Sequence, residues 1–257
     1  MGAADSSARV WTSGWAPGEG VDATFSYHPH DEDGWHRDED PQLEYRDADL
    51  GHATSGKVGA RFVRFAADAE RGGGEWHAHD LDFELLYLQS GSLTIETEDG
   101  EQTLSAGDTC WMPPLYRHRI SDYSPDFRAV ELVSPARFER VIGRDGKLPP
   151  RAAELDPERR PVYTFVRPES YAIGAGLRDY LVYRDLGTRA LTDDRVQLHI
   201  IRVAATERAR CDRRATRLDA VSADPGPYAR ATDRVIARRT AEDSDRSPAP
   251  SVSAIAS

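Results

Sequence analysis

Cysteine is nearly absent. The 257 residues contain only Cys110 and Cys211, far apart in sequence, which gives no disulfide framework and fits a reducing compartment. Long apolar runs are missing too. None approaches the roughly 20 residues that span a bilayer, so no membrane association is expected. Basic charge is in deficit: 33 Lys and Arg stand against 44 Asp and Glu, for a net charge of -11. Phosphate binding needs the opposite balance, so nucleic acid is not an expected partner. The first residues show no basic stretch followed by an apolar one, and no secretory signal is read there. The Met-Gly start with Ser6 is weighed as chance rather than as a lipidation signal. A cytoplasmic protein is the expectation. A mean hydropathy of -0.63 is low for a fully packed chain.

Residues 1–40 are rich in Gly, Ser, Asp and Glu. YHPHDEDGWHRDED sets His28, His30 and His36 among carboxylates. A solvated, disordered acidic arm is expected there, with a second metal site as the weaker reading, because Pro29 and the dense charge leave no strand to aim the rings. From Leu43 onward, short apolar runs alternate with turn signals: KVGARFVRFAA, FELLYLQSG, SLTIETEDGEQTLSAGD, TCWMPP and FRAVELVSP. That spacing predicts an all-β sandwich or barrel over residues 41–140. Asp99-Gly100 predicts a two-residue hairpin turn. ARFERVIG, from Ala136, is read as a short helix closing the barrel.

The chain also repeats itself. At a constant offset of 138, Leu43, Tyr45, Arg46, Asp47, Thr54, Val58, Arg64, Ala66 and Ala67 match Leu181, Tyr183, Arg184, Asp185, Thr192, Val196, Arg202, Ala204 and Ala205. A second copy therefore starts near Tyr163, and residues 141–205 are read as a linker and an incomplete repeat. It stops after Ala205. Residues 206–257, dominated by Ala, Arg, Asp, Ser and Pro, are expected to form a disordered tail, the product of a truncated or frame-shifted gene.

One stretch carries chemistry. In GGGEWHAHDLDFELLYLQSG, His77 and His79 are two apart and share a face on a strand. Glu84 opens the next strand and can face the same space. Further on, GDTCWMPPLYRHR brings His118 to the start of another strand. Three imidazoles and one carboxylate suit a mononuclear transition metal, with two coordination positions left for water, oxygen or a chelating substrate. Trp76, Tyr87, Trp111 and Tyr116 are expected in the core or on the rim. Cys110 is read as a small buried hydrophobe rather than a nucleophile. Arg64 and Arg202 are read equally as anion binders and as surface residues.

These residues resemble the cupin superfamily. Gly72, His77, His79, Glu84 and Gly91 match its first motif, and Gly107, Pro113 and His118 its second. Leu115 stands where the family has glycine, and Asp122 where it has asparagine. The resemblance covers residues 43–135 and implies a jelly-roll β-barrel. It implies metal ligands His77, His79, Glu84 and His118 for a divalent Fe, Mn, Zn or Ni, and leaves the catalytic residues unassigned. With the repeat, it implies a bicupin whose second barrel is incomplete. The implied activity is metal-dependent turnover of a small organic substrate, dioxygenase-like chemistry being favoured over isomerase, decarboxylase or cyclase. The alternative is a non-catalytic binding or sensor protein. A homodimer through barrel edge strands is the partner expectation. Activity is expected to rise with pH near 6.5, the ordinary histidine value.

Overall fold

The computed structural model describes residues 24–25, 33–37, 40–70, 74–142, 160–167, 170–173 and 181–203, and the backbone of 234–238. The chain divides into two compact units, Met1–Thr164 and Phe165–Ser257.

The first unit is built from β1 (His36–Arg37), β2 (Leu43–Asp47), β3 (Gly59–Phe65), β4 (His77–Asp80), β5 (Phe83–Ser90), β6 (Ser92–Thr97), β7 (Gly100–Ser105), β8 (Thr109–Met112), β9 (His118–Tyr123), β10 (Arg128–Ser134), β11 (Glu139–Ile142) and β12 (Val162–Thr164). They form a seven-stranded sheet, β1-β2-β3-β10-β5-β8-β12, and a five-stranded sheet, β11-β4-β9-β6-β7. Every pairing is antiparallel. The arrangement is the expected jelly roll. β6 shows why these segments become strands: Leu93, Ile95 and Thr97 are buried while Ser92, Thr94 and Glu96 are half-buried, the period-two alternation of a strand with one face on the core. The core lies between the sheets. Val63, Leu88 and Ala129 from one sheet pack with Leu93, Ile95 and Leu104 from the other.

Two glycines are required by close approach. Gly91 has φ +71°, and a Cβ there would lie 2.3 Å from Ser124 Oγ and 2.7 Å from the Phe127 nitrogen. At Gly59 a Cβ would lie 3.0 Å from the Ala136 Cα, where the chain leaving β10 crosses β3.

Two local expectations are corrected. ARFERVIG does not form a helix. Its Glu139–Ile142 part is β11, which pairs with β4 so that Arg140 faces His79 and Ile142 faces His77. The open edge of β4 and the β-branched Val141 and Ile142 favour strand over helix. The hairpin after β6 turns one residue earlier than expected, through Glu98-Asp99, since Thr97 pairs with Gly100. Gly100 follows the turn with φ 124°, and Thr97 Oγ1 accepts the Asp99 N–H at 3.2 Å. Between β2 and β3, Leu50–Ala53 forms a single helical turn.

The second unit contains β13 (Ala172–Ile173), β14 (Leu181–Asp185), β15 (Gln197–Val203) and β16 (Arg234–Arg238), in that order in one sheet. It reproduces the repeat in register. Tyr45 pairs with Val63, and Tyr183 with Ile201, the same positions 138 residues on. Thr54 Oγ1 lies 2.9 Å from the Leu50 carbonyl and accepts the Val58 N–H at 3.0 Å; Thr192 Oγ1 lies 2.8 Å from the Thr188 carbonyl and accepts the Val196 N–H at 3.0 Å. Most of the expected arm at 1–40 and of the tail at 206–257 lies outside the described residues, as do His28, His30 and Cys211, but His36–Arg37 within the arm is β1 and pairs with β2. Within the tail stretch, β16 pairs with β15, a strand the composition did not indicate. Among the described residues, no helix is long and apolar enough to cross a membrane.

Candidate metal centre

β4 carries His77 and His79, and its only register pair with β9 joins His77 to His118. All three rings are buried, at 6 to 8% exposure. One ring nitrogen from each lies within 4.8 Å of the others. The hydrogen bonds decide which nitrogen. His77 Nδ1 lies 2.8 Å from the Glu75 carbonyl, and His118 Nδ1 lies 2.8 Å from the Tyr116 carbonyl. A carbonyl only accepts, so both Nδ1 atoms carry the proton and donate, leaving each Nε2 lone pair free. Arg140 Nη2 also lies 3.3 Å from His77 Nδ1, but the shorter carbonyl contact sets the tautomer.

Glu84 is brought to the same place and takes a different position from the rings. Its Oε2 lies 2.7 Å from His79 Nδ1, so the carboxylate holds the third ring as the carbonyls hold the other two. A carboxylate on the far nitrogen of a metal-binding histidine fixes the ring and raises its basicity. Burial, reinforced by the neighbouring rings, favours neutral imidazoles: the His118 ring is pushed down to about 4 and the His77 ring well below its ordinary value. A metal requires neutral rings, so the donor set fits a divalent transition ion.

The rings open on a cavity of about 390 Å³ between the sheets. Its wall includes charged residues that the motifs do not flag. Arg61 from β3 pairs with Glu131 from β10, and its guanidinium lies 4.0 Å over the Tyr45 ring. Arg140 pairs with Asp40 at 3.0 Å. Burial raises the Glu131 carboxyl, with Arg61 acting against that shift. One signal for the first pair was present: Glu131 is a lone acid inside the apolar run Ala129–Val133. Arg140 had none, because β11 was not read as a strand.

The other candidates are structural. Tyr87, Trp111 and Tyr116 are buried, Trp76 is half-buried, and none lines the cavity. Cys110 does line it, with a thiol that burial pushes well up, so it is not a thiolate nucleophile. Arg64 bonds Glu44 at 2.7 Å and lies 4.1 Å over Trp35, and Arg202 lies 4.4 Å over Tyr171, which accounts for both without an anion. Gly72 is outside the described residues. Leu115 adopts φ 56°, the conformation that the missing glycine would supply at no cost, and its N–H donates to the His79 carbonyl at 2.9 Å.

A family model described as "Cupin domain" matches residues 63–132. No curated protein matches the chain. Among solved structures, the chain is similar to KdgF from Halomonas sp., at 27% identity and a TM-score of 0.36, over 44% of this chain and 96% of that one. It is similar to a putative glyoxylate-induced protein from Pseudomonas aeruginosa, at 13% identity and a TM-score of 0.44, over 72% and 71% of the two chains. A third is an oxalate decarboxylase from Lactobacillus farciminis in complex with formate, at 10% identity and a TM-score of 0.47, over 70% and 65%. With the jelly roll, both histidine-bearing strands and the matched span all falling together in the first unit, the chain carries a cupin domain.

Proposed function

We propose that this chain is a metal-dependent cupin enzyme acting on a small organic substrate, with dioxygenase-like chemistry favoured. The observation that carries the reading is the set of three buried imidazoles, each held at Nδ1, on the wall of a cavity between the sheets. His77, His79 and His118 would hold the ion. Glu84 would orient His79 and place the negative charge that balances a divalent metal. The four-ligand alternative has Glu84 on the ion itself. The ion would supply Lewis acidity and, if redox-active, electron transfer to oxygen. The chain's own residues exclude water, present the substrate and hold charge: Arg61 with Glu131, and Arg140 with Asp40, set fixed charges around the cavity. The register-matched second unit favours a bicupin whose second barrel is incomplete.

Metal analysis of the purified full chain is the test. About one transition-metal ion per chain is expected, lost almost entirely in His77→Ala and His118→Ala. Glu84→Gln should weaken metal binding by about 10- to 100-fold, as loss of an orienting partner does. A loss as complete as that of the histidine variants would make Glu84 a ligand. An aerobic substrate screen with oxygen uptake then assigns the chemistry. Turnover without oxygen would move the reading to a lyase, isomerase or cyclase. Undiminished turnover in a metal-stripped preparation would overturn the metalloenzyme reading, and binding without turnover would leave the sensor alternative.

A further inference from the structure

Part of the cavity wall is apolar, and the strand registers place that part along β6 and β9, beyond the histidines. His77 pairs with His118, which pairs with Thr97. Two residues along, Ile120 pairs with Ile95, and two further on β6 comes Leu93. From Thr97 to Leu93 is four residues, about 13 Å of strand at about 3.3 Å per residue. In the facing sheet, Glu84 lies at the histidine end, and Leu86 and Leu88 follow along the same face of β5. Leu86, Leu93, Ile95, Ile120 and Phe127 all line the cavity. The charged groups Asp40, Glu84, Arg137 and Arg140 line it too, alongside His79, and the Arg61–Glu131 ion pair lines it beside Leu86, with which Glu131 is in register.

The volume is larger than an ion needs. Two bound waters occupy roughly 60 Å³, against the cavity's 390 Å³. Against the apolar stretch of the wall, water finds few hydrogen-bond partners and is readily displaced by hydrocarbon. A two-carbon diacid would leave that end empty. A hydrocarbon body would fill it and be removed from water.

We infer that the cavity takes an amphipathic ligand, with a two-oxygen chelating head at the histidines and a hydrocarbon body lying against Leu86, Leu93, Ile95, Ile120 and Phe127. This rests on the metal reading for its head only; the body is specified by the wall alone.

The test is calorimetric titration of the full chain with straight-chain alkyl hydroxamates, from acetohydroxamate to octanohydroxamate. Zn(II)-reconstituted and metal-free protein are titrated in parallel, with the matching alkyl carboxylates as a second series. Affinity should tighten about three- to fourfold per methylene, so that hexanohydroxamate binds on the order of 100-fold tighter than acetohydroxamate. Ile95→Phe should flatten that dependence and leave acetohydroxamate binding unchanged. Ile120→Phe, at a half-buried site, does the same job if Ile95→Phe does not fold. Metal-dependent binding of acetohydroxamate with no gain from chain length would overturn the inference and leave the metal centre standing. A gain that both filling variants preserve would also overturn it, since the body would lie elsewhere. Affinities equal with and without zinc at every chain length, with the chain-length gain intact, would uphold the apolar end and remove the metal reading.

Discussion

Single residues carry most of the consequences of burial. The His118 ring is pushed down to about 4, chiefly by burial and then by the His79 ring, with Glu84 acting against it; burial, His118, His79 and Arg140 push the His77 ring the same way. Between about 4 and the unfolded value of about 6.5, the unfolded chain therefore binds more protons than the folded one. The stabilisation is complete above about 6.5 and is lost as pH falls through about 4, a loss of about 3 kcal/mol for His118 alone. Urea denaturation of metal-free protein at pH 7 and pH 4.5 measures it, and equal midpoints would contradict the burial argument. The same shift lowers the acid limb expected for activity from near 6.5 toward 4, because the folded site keeps neutral rings. Leu115 is the second case. A leucine in the left-handed region costs about 1–2 kcal/mol. Leu115→Gly should recover about 1 kcal/mol, seen as a Tm rise of about 2–4 °C by differential scanning calorimetry. Arg61 and Glu131 are the third. Removing one partner strands a buried charge, so Arg61→Leu should cost about 3–5 kcal/mol, while Arg61→Leu with Glu131→Leu should recover most of it.

Elements place these residues, and local sequence predicted them unevenly. The strands around both motifs were legible because alternation and glycine punctuation agree there. β5 runs from Phe83 to Gly91's doorstep at Ser90, and β9 begins at His118, as their patterns indicate. Gly91 stops β5 against the turn that leads to β10. Gly91→Ala would drive a methyl into the Phe127 backbone, and a fall of several degrees in Tm, read by circular dichroism, is expected even though the site is untouched. β11 was not legible. ERVI is short and has no turn signal of its own, and it becomes a strand only because β4 offers an open edge. That single pairing brings Arg140 beside His77, 63 residues away in sequence.

At the scale of the whole chain, every residue that lines the cavity lies between Asp40 and Arg140, inside the first unit. A chain ended after Thr164 should therefore retain its metal stoichiometry, measured on the purified fragment by mass spectrometry of bound metal. Loss of the ion would show that the second unit supports the site. The end point matters, because β12, Val162–Thr164, pairs with β8 and belongs to the first unit rather than to the repeat that the sequence starts near Tyr163. The resemblance to the cupins implied the jelly roll, while the sequence alone determined the all-β class, the three histidines with Glu84, and the 138-residue repeat. Those follow from spacing along the chain: period two puts His77 and His79 on one face, and a constant offset needs no structure to be seen. Only the tertiary structure decided what Glu84 touches, which nitrogen of each ring is held, and that Arg61, Glu131, Asp40 and Arg140 share the cavity. Each of those depends on strands far apart in sequence meeting in a particular register, and no local pattern encodes a register between two elements that have not yet met.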